Sequence, residues 1–205
     1  ALADRWIFSR LWTVTREINE ALAAYRFHEA TFKIYHFFWH EFCDWYLEWV
    51  KPEITKPAEG EKLPAAWINL MRVFEAALHL LHPFMPFISE EIYQKIKTEK
   101  NFLLQTEFPA FDKNFVFPET FAAIEMLKKV VTETRKTRTE NRIEPNKKIA
   151  IYLKCDSPAE KKQLLKHLPY FDFLSRSLQT EIVDDLSVLA KGFRGVSQNW
   201  EILLP

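Results

Sequence analysis

Residues 35–50 constrain the fold more than any other stretch, because eight of these sixteen residues are Phe, Trp or Tyr and none is Gly or Pro. Helical spacing of 3.6 residues per turn predicts an aromatic stripe of Tyr35, Phe38, Phe42, Tyr46 and Trp49. The polar side of the same helix would carry His36, His40, Asp44, Glu48 and Lys51. Aromatic side chains bury large areas, so we expect this helix at the centre of a bundle core, with most of its rings engaged in packing.

Chain length, net charge and cysteine content limit the number of domains, the partners and the location that we expect. The chain has 205 residues, which suits one large domain or a medium domain with a small one. Its net charge is zero, so there is no global electrostatic attraction to nucleic acid or membrane. Cys43 and Cys155 lie far apart, which favours reduced thiols and a cytoplasmic location, with no membrane association. The sequence opens at a helix start without Met, and we expect it to be a piece of a longer protein.

The first 118 residues read as a bundle of helices. The pattern predicts one helix from an N-cap at Asp4 to about Tyr25 and a second to about Val50, paired antiparallel. An exposed loop at 51–64, a third helix at 65–81 and a short helix capped by Ser89 would follow. Residues 101–118 are rich in Phe and Pro, and we expect them to pack back over the bundle as irregular chain.

The remainder reads as a basic helix followed by a small α+β subdomain. A helix is predicted at 120–141, and three segments have the composition of strands: 149–153, 181–183 and 200–204. We therefore expect at most three strands, with a short helix at 158–167. The fold class predicted is mainly α, with a helical-bundle domain at 1–118 and the basic helix and subdomain at 119–205.

The sequence contains little that indicates a metal-binding site or a catalytic nucleophile. His36, His40 and Cys43 have a spacing that zinc ligands adopt, but Phe37 stands where a metalloprotease helix carries Glu. We interpret these histidines as interfacial or capping and predict no metal, with a zinc-binding helical protein as an alternative. The chain has only three glycines, and no Gly-x-Ser-x-Gly elbow or phosphate-binding loop occurs. We therefore predict no catalytic residues and no cofactor in these 205 residues.

Positive charge is concentrated between residues 128 and 148, where eight Lys or Arg face three Glu. Helical spacing would align four of these cations in a ridge that follows a phosphate backbone. The ridge would consist of Lys128, Arg135, Arg138 and Arg142. A solvated helix face, with Glu133 and Glu140 beside the cations, explains the same pattern without nucleic acid.

Four motifs carry a resemblance to a known family. They are Ala-Asp-Arg-Trp-Ile at 3–7, Phe-Trp-His-Glu-Phe-Cys-Asp-Trp-Tyr-Leu-Glu at 38–48, Leu-His-Pro-Phe-Met-Pro-Phe-Ile-Ser-Glu-Glu-Ile at 81–92, and the Arg-rich segment at 134–148. Together they resemble the helical anticodon-binding domain of class I aminoacyl-tRNA synthetases, and the second has the form typical of the valyl-tRNA synthetases. The resemblance implies binding of the tRNA(Val) anticodon stem-loop, next to catalytic and editing domains of the same polypeptide, in a monomer.

Several parts of the family have no counterpart in this sequence. Neither signature of the ATP-binding catalytic domain, His-x-Gly-His or Lys-Met-Ser-Lys-Ser, occurs in the sequence, so ATP and Mg²⁺ would belong to the parent ligase. In the family a helix precedes the first motif and a coiled coil follows the α+β part, so we expect an incomplete RNA site.

If the first two helices are antiparallel, the start of one meets the end of the other. This juxtaposition predicts a site for one single-stranded base, contacted by stacking and hydrogen bonds. Its residues would be Arg5, Arg10, Asp44, Leu47, Glu48 and Lys51. Two alternatives stay open: the two arginines only pair with Asp44 and Glu48, or the chain is a helical protein-interaction module without RNA specificity.

Overall fold

The computed structural model describes residues 1–55, 64–96, 101–187 and 192–205. These residues form two compact units, Ala1–Thr120 and Phe121–Pro205, and each is described by itself. The predicted fold class, mainly α with a small α+β part, is confirmed. The domain bounds 1–118 and 119–205, as independently folding parts, stay a prediction. No helix in the described ranges is both long and apolar enough to cross a membrane.

The first unit is built on two long antiparallel helical runs. Helix α1 spans Leu2–Ala23, and the second run consists of α2 (Phe27–His36), a π-helical segment (Phe37–Tyr46) and α3 (Leu47–Thr55). Contacts pair the start of α1 with the end of the second run and its end with the beginning of that run. The predicted antiparallel pair is therefore confirmed.

The π-helical segment changes which side chains enter the core. Its hydrogen bonds run from i to i+5, so residues four and five apart share a face in place of the three-and-four pattern of an α-helix. Phe37, Phe42 and Tyr46 are buried on this face. The predicted stripe was wrong at Tyr35, which is exposed, and it omitted Phe37.

Two further helices complete the bundle: α4 (Ala65–Leu81), at the predicted bounds, and α5 (Pro86–Ile96). The prediction of Ser89 as an N-cap was wrong, because Pro86 starts this helix and Ser89 is buried within it. The Ser89 hydroxyl donates to the carbonyl of Met85 at 2.8 Å. The loop predicted at 51–64 was wrong at its start, since α3 continues through Pro52 to Thr55. Residues 56–63 of that loop lie outside the described residues.

The segment after α5 packs on α1, as predicted. It contains short 3₁₀ turns at Leu103–Gln105 and Lys113–Phe115. The hydroxyl of Ser9 donates to the carbonyl of Phe115 at 3.1 Å and accepts from the backbone N–H of Phe117 at 2.7 Å. The ring of Phe115 stacks on Trp12 with 5.8 Å between centroids. The segment before α6 is therefore held against α1 at Ser9 and Trp12.

The second unit combines helix α6 (Pro118–Glu140), whose first residues belong to the first unit, with a four-stranded sheet. Its further elements are β1 (Ile149–Cys155), α7 (Pro158–Lys166), α8 (Leu168–Ser175), β2 (Ser177–Ile182), β3 (Phe193–Ser197) and β4 (Trp200–Leu204). The strand order is β2-β1-β4-β3, with β1 and β2 parallel and the other neighbours antiparallel.

The expectation of at most three strands was wrong, because β3 was missed. Its sequence, Phe-Arg-Gly-Val-Ser, lacks the alternation of a half-buried strand, and most of its side chains are exposed at the sheet edge. Gly195 is its buried residue, and a Cβ there would collide with the side chain of Thr137 on α6. The glycine thus permits close packing of α6 against the edge of the sheet.

Candidate nucleic-acid interface

The two ends predicted to meet in the first unit do meet. Tyr46 donates its hydroxyl to a carboxylate oxygen of Asp4 at 2.7 Å, and the rings of Trp6 and Trp49 lie 6.4 Å apart. Burial, followed by the hydrogen bond to Asp4, raises the pKa of Tyr46 well above that of a free tyrosine. The start of α1 and the 46–49 segment therefore form one fixed end of the bundle.

Arg5 lies at this end with an exposed side chain. Its guanidinium sits 5.3 Å from the centroid of the Phe117 ring, and Nη1 lies 3.9 Å from a carboxylate oxygen of Glu119. The alternative in which Arg5 pairs with Asp44 or Glu48 is thus wrong. A guanidinium over an aromatic ring and at the surface presents a flat cation to solvent, which is suited to stacking on a base.

Arg10 has a different environment. Its Nε and Nη2 donate to the two carboxylate oxygens of Glu41 at 2.7 and 2.8 Å, and the Glu41 side chain is buried. The alternative in which Arg10 pairs with Asp44 and Glu48 is wrong here too, because its bidentate partner is Glu41 of the π-helical segment. This bidentate pair gives Arg10 a structural role in the interface of the two runs, and its role in RNA binding stays a prediction.

The remaining predicted residues of this unit share one side of the second run. Asp44 accepts from His40, with 3.2 Å between Oδ2 and Nδ1, and the Lys51 ammonium lies 3.3 Å from Glu48. Asp44 and Lys51 are exposed, and Leu47 is half-buried between them. Such a surface offers an acceptor, a donor and an apolar patch, which are the contacts that an unpaired base requires.

Sequence reasoning missed a set of exposed aromatic rings on the second run, because it assigned most rings to packing. Phe32, Tyr35 and Trp39 are 67%, 57% and 52% exposed. The rings of His36 and His40 lie among them, 5.1 Å apart. The signal was present in the sequence, since eight aromatic residues in sixteen exceed what one buried helix face accommodates. We call Phe32, Tyr35 and Trp39 the exposed aromatic surface.

The alternative of a zinc site gains no support from the geometry. Within the described ranges, no group of three or more His, Cys, Asp or Glu side chains is arranged to hold a metal ion. Cys43, the third member of the proposed ligand set, has its pKa raised by burial and by the neighbouring Asp44. A raised pKa opposes the thiolate form that zinc requires.

A cavity of about 450 Å³ in the first unit was also not predicted. Phe8, Trp12 and Phe115 give it aromatic walls, and Arg72 and His79 add polar groups at its border. Its size and its mainly apolar lining with a few polar groups lie within the range of small-molecule pockets. The cavity could not be foreseen because the irregular segment that supplies Phe115 has no periodic pattern.

The predicted basic ridge does not form as a continuous line in the second unit. Lys128 pairs with Glu125 at 2.9 Å, and Arg135 donates to the carbonyl of Leu174 at 3.0 Å. Arg138 is only 5% exposed, and Arg142 lies beyond the end of α6 in a left-handed conformation with φ of 55°. The helix ends at Glu140, so helical spacing does not extend to Arg142. Binding of RNA by these four residues stays a prediction.

Comparison of the sequence with known proteins finds one matching family model and several similar tRNA ligases. The family model "Anticodon-binding domain of tRNA ligase" matches residues 4–153. A valine–tRNA ligase of Geobacter sulfurreducens is 35% identical over 99% of this chain, and one of Petrotoga mobilis is 34% identical over 100% of it. A valine–tRNA ligase of Aquifex aeolicus is 35% identical over 75% of the chain. The chain spans 23% of the length of the first two relatives and 14% of the third.

Proposed function

Because the chain belongs to the family of anticodon-binding domains of tRNA ligases, we propose that it binds the anticodon stem-loop of a tRNA and that this tRNA is tRNA(Val). The match of the family model to residues 4–153 is the observation that carries the proposal. The choice of tRNA(Val) is supported by relatives named valine–tRNA ligase that align with nearly the whole chain.

The end of the bundle near Asp4 and Tyr46 is the part of the first unit best suited to contact an unpaired base. Arg5 supplies an exposed cation there, and Asp44 and Lys51 supply an exposed acceptor and donor on the second run. Sequence-specific recognition of RNA relies on unpaired bases that are stacked and hydrogen-bonded on their edges. Loss of one such contact costs about 1–3 kcal/mol.

For the whole protein we propose a class I valine–tRNA ligase that uses ATP with Mg²⁺. The present 205 residues contain neither His-x-Gly-His nor Lys-Met-Ser-Lys-Ser, so we assign ATP binding to a catalytic domain of the same polypeptide. In this proposal the anticodon contact places the acceptor end of the tRNA at that catalytic domain. A cytoplasmic location and a monomeric state belong to the same proposal. We expect these residues alone to form no valyl-adenylate, which an ATP–pyrophosphate exchange assay measures.

A second candidate function is protein docking through the exposed aromatic surface. Three large rings in consecutive turns, each more than half exposed, form a patch of the kind found at protein interfaces. The catalytic or editing domain of the same polypeptide is the partner that we propose for it. This function predicts that Trp39→Ala leaves the tRNA affinity of the chain unchanged.

The proposal is tested by fluorescence anisotropy with two labelled RNAs, the tRNA(Val) anticodon stem-loop and its acceptor-arm hairpin. We expect the chain to bind the stem-loop more tightly and expect Arg5→Ala to weaken this binding about fivefold or more, the equivalent of about 1 kcal/mol. Arg16→Ala is the matched control, since it removes an exposed arginine farther along α1. Equal affinity for the two RNAs, or an equal effect of the two variants, contradicts the proposal.

A further inference from the structure

A cavity of about 320 Å³ in the second unit is lined by the end of α6, the turn after it and the end of α8. Three cations border it, Arg135, Arg138 and Arg176, and its neutral polar lining residues are Thr139, Asn146 and Ser175. The volume lies at the small end for ligand sites, which suits one compact group and not a drug-sized molecule.

Arg138 is the central residue of this cavity. One terminal nitrogen, Nη2, donates to the carbonyl of Glu144 at 3.1 Å and to that of Lys147, and so holds the turn after α6. The other terminal nitrogen, Nη1, is buried and has no hydrogen-bond acceptor among the described residues. A buried guanidinium N–H without an acceptor is costly, and in native proteins such a group usually has a water, an ion or a ligand as its partner.

Ser175, the last residue of α8, repeats this pattern. Its side chain is almost fully buried at 1% exposure, and within the described part of the chain its hydroxyl has no hydrogen-bond partner. Arg138 and Ser175, which belong to different elements and each carry one unpartnered donor, thus line the same cavity. Helices α6 and α8 both end at this cavity and bring the negative ends of their dipoles to it, and Arg135 offsets part of this charge by donating to the carbonyl of Leu174 in the last turn of α8.

The charges around the cavity are not balanced. Among the described residues, no carboxylate lies within ion-pair distance of Arg138 or Arg176, although the two guanidiniums are close enough to interact. Burial, followed by repulsion from Arg176, lowers the pKa of Arg138. Two cations in a partly buried site without a counter-charge favour an anion, because its charge would relieve both the burial and the repulsion.

We propose that this cavity binds a phosphate group, held by Arg138 Nη1, the hydroxyl of Ser175 and the guanidinium of Arg176. Phosphate has several acceptor oxygens and a charge that matches planar guanidinium donors. The group is either a free phosphate or a phosphodiester of an RNA backbone. The second source rests on the proposed function, whereas the site itself does not.

The first experiment compares thermal unfolding of the chain in sodium phosphate and in sodium chloride at equal ionic strength. A ligand that binds only the folded state raises the unfolding midpoint. We expect phosphate to raise the midpoint more than chloride does, and we expect Arg176→Gln to lose at least half of this difference. Lys162→Gln, which removes an exposed cation of α7 outside the cavity, should keep the full difference. Arg138 is left unchanged, because its replacement would also release the turn that it holds.

A second measurement keeps the proposal testable if Arg176→Gln folds poorly. Titration of the unaltered chain with phosphate, followed by ¹⁵N NMR of the arginine side chains, should shift the Arg138 signal saturably while chloride does not. No specific effect of phosphate in either measurement overturns the proposal and leaves water as the partner of the two donors.

The source of the phosphate is decided by the salt dependence of tRNA(Val) binding. If the RNA backbone enters the cavity, Arg176→Gln should reduce the slope of log affinity against log salt by about 1 relative to Lys162→Gln. An unchanged slope, together with stabilisation by phosphate that Arg176→Gln loses and Lys162→Gln keeps, assigns the site to free phosphate. The same stabilisation without any tRNA binding would contradict the proposed function and still support the phosphate site.

Discussion

Arg10 and Glu41 form a bidentate ion pair between α1 and the π-helical segment, with both hydrogen bonds shorter than 2.9 Å. The carboxylate is buried, and the ring of His36 adds a more distant contact at 3.7 Å. This pair holds together the two runs whose ends form the proposed base-binding surface.

We predict that Arg10→Ala lowers the free energy of unfolding by about 3 kcal/mol, at the lower end of the range for breaking a buried pair because Arg10 is partly exposed. The loss arises because the Glu41 carboxylate stays buried without its main partner. Urea denaturation measures the change. The control, Arg16→Ala, removes one member of an exposed pair with Glu20 and should cost about 0.5 kcal/mol or less. Equal stability of the two variants would refute the structural role of the pair.

The division between buried and exposed rings gives a second prediction. Trp49→Ala should lower the free energy of unfolding by about 3–5 kcal/mol, because it empties a fully buried site in the core. Trp39→Ala should change it by about 0.5 kcal/mol or less, since that ring is exposed. The comparison uses the same residue type on the same helical run. A large loss of stability in the Trp39 variant would show that the assigned winding of residues 37–46 is wrong.

In the first unit, the regular helices were predictable from the sequence and the π-helical segment was not. Elements with ordinary α-helical spacing, such as Ala65–Leu81, were predicted at their observed bounds. The antiparallel pairing of the first two helical runs, which the contact of Trp6 with Trp49 confirms, was also predicted. The π-helical winding was not foreseeable from a pattern read at 3.6 residues per turn. This segment supplies Glu41 as the partner of Arg10 and buries Phe37, Phe42 and Tyr46 on one face.

In the second unit, prediction failed where long-range packing decides local structure. The Phe-Arg-Gly-Val-Ser segment forms an edge strand because β4 supplies its hydrogen bonds and α6 leaves room only for Gly195. The basic segment was recognised as a cluster of charge. Its spacing could not show that Arg138 is buried while Arg142 lies past the helix end. The cavity shared by Arg138 and Ser175 depends on α8, which sequence reasoning did not predict.

The buried His167 gives a prediction about pH. Burial, followed by the charge of Lys166, lowers the pKa of His167 below the ordinary value of about 6.5. The unfolded chain therefore binds this proton at a higher pH than the folded chain does. The stability that this residue contributes is fully present above about pH 6.5 and is lost as the pH falls toward its folded-state pKa.

Urea denaturation between about pH 5 and about pH 8 measures this dependence. We expect His167→Gln to reduce the loss of stability on acidification, whereas His28→Gln, at an exposed position of the first unit, should leave it unchanged. The attribution to His167 fails if both variants lose stability on acidification as steeply as the unaltered chain.

The central claim is that the chain binds the anticodon of tRNA(Val), and one measurement tests it most directly. The affinity of the chain for labelled tRNA(Val) is compared with its affinity for the same tRNA carrying a changed middle anticodon base, at several salt concentrations. Our account predicts that the changed tRNA binds at least about fivefold more weakly at every salt concentration, the loss of one base contact of about 1 kcal/mol or more. Equal affinity for the two tRNAs with a common salt dependence, or no binding of either, would contradict the claim.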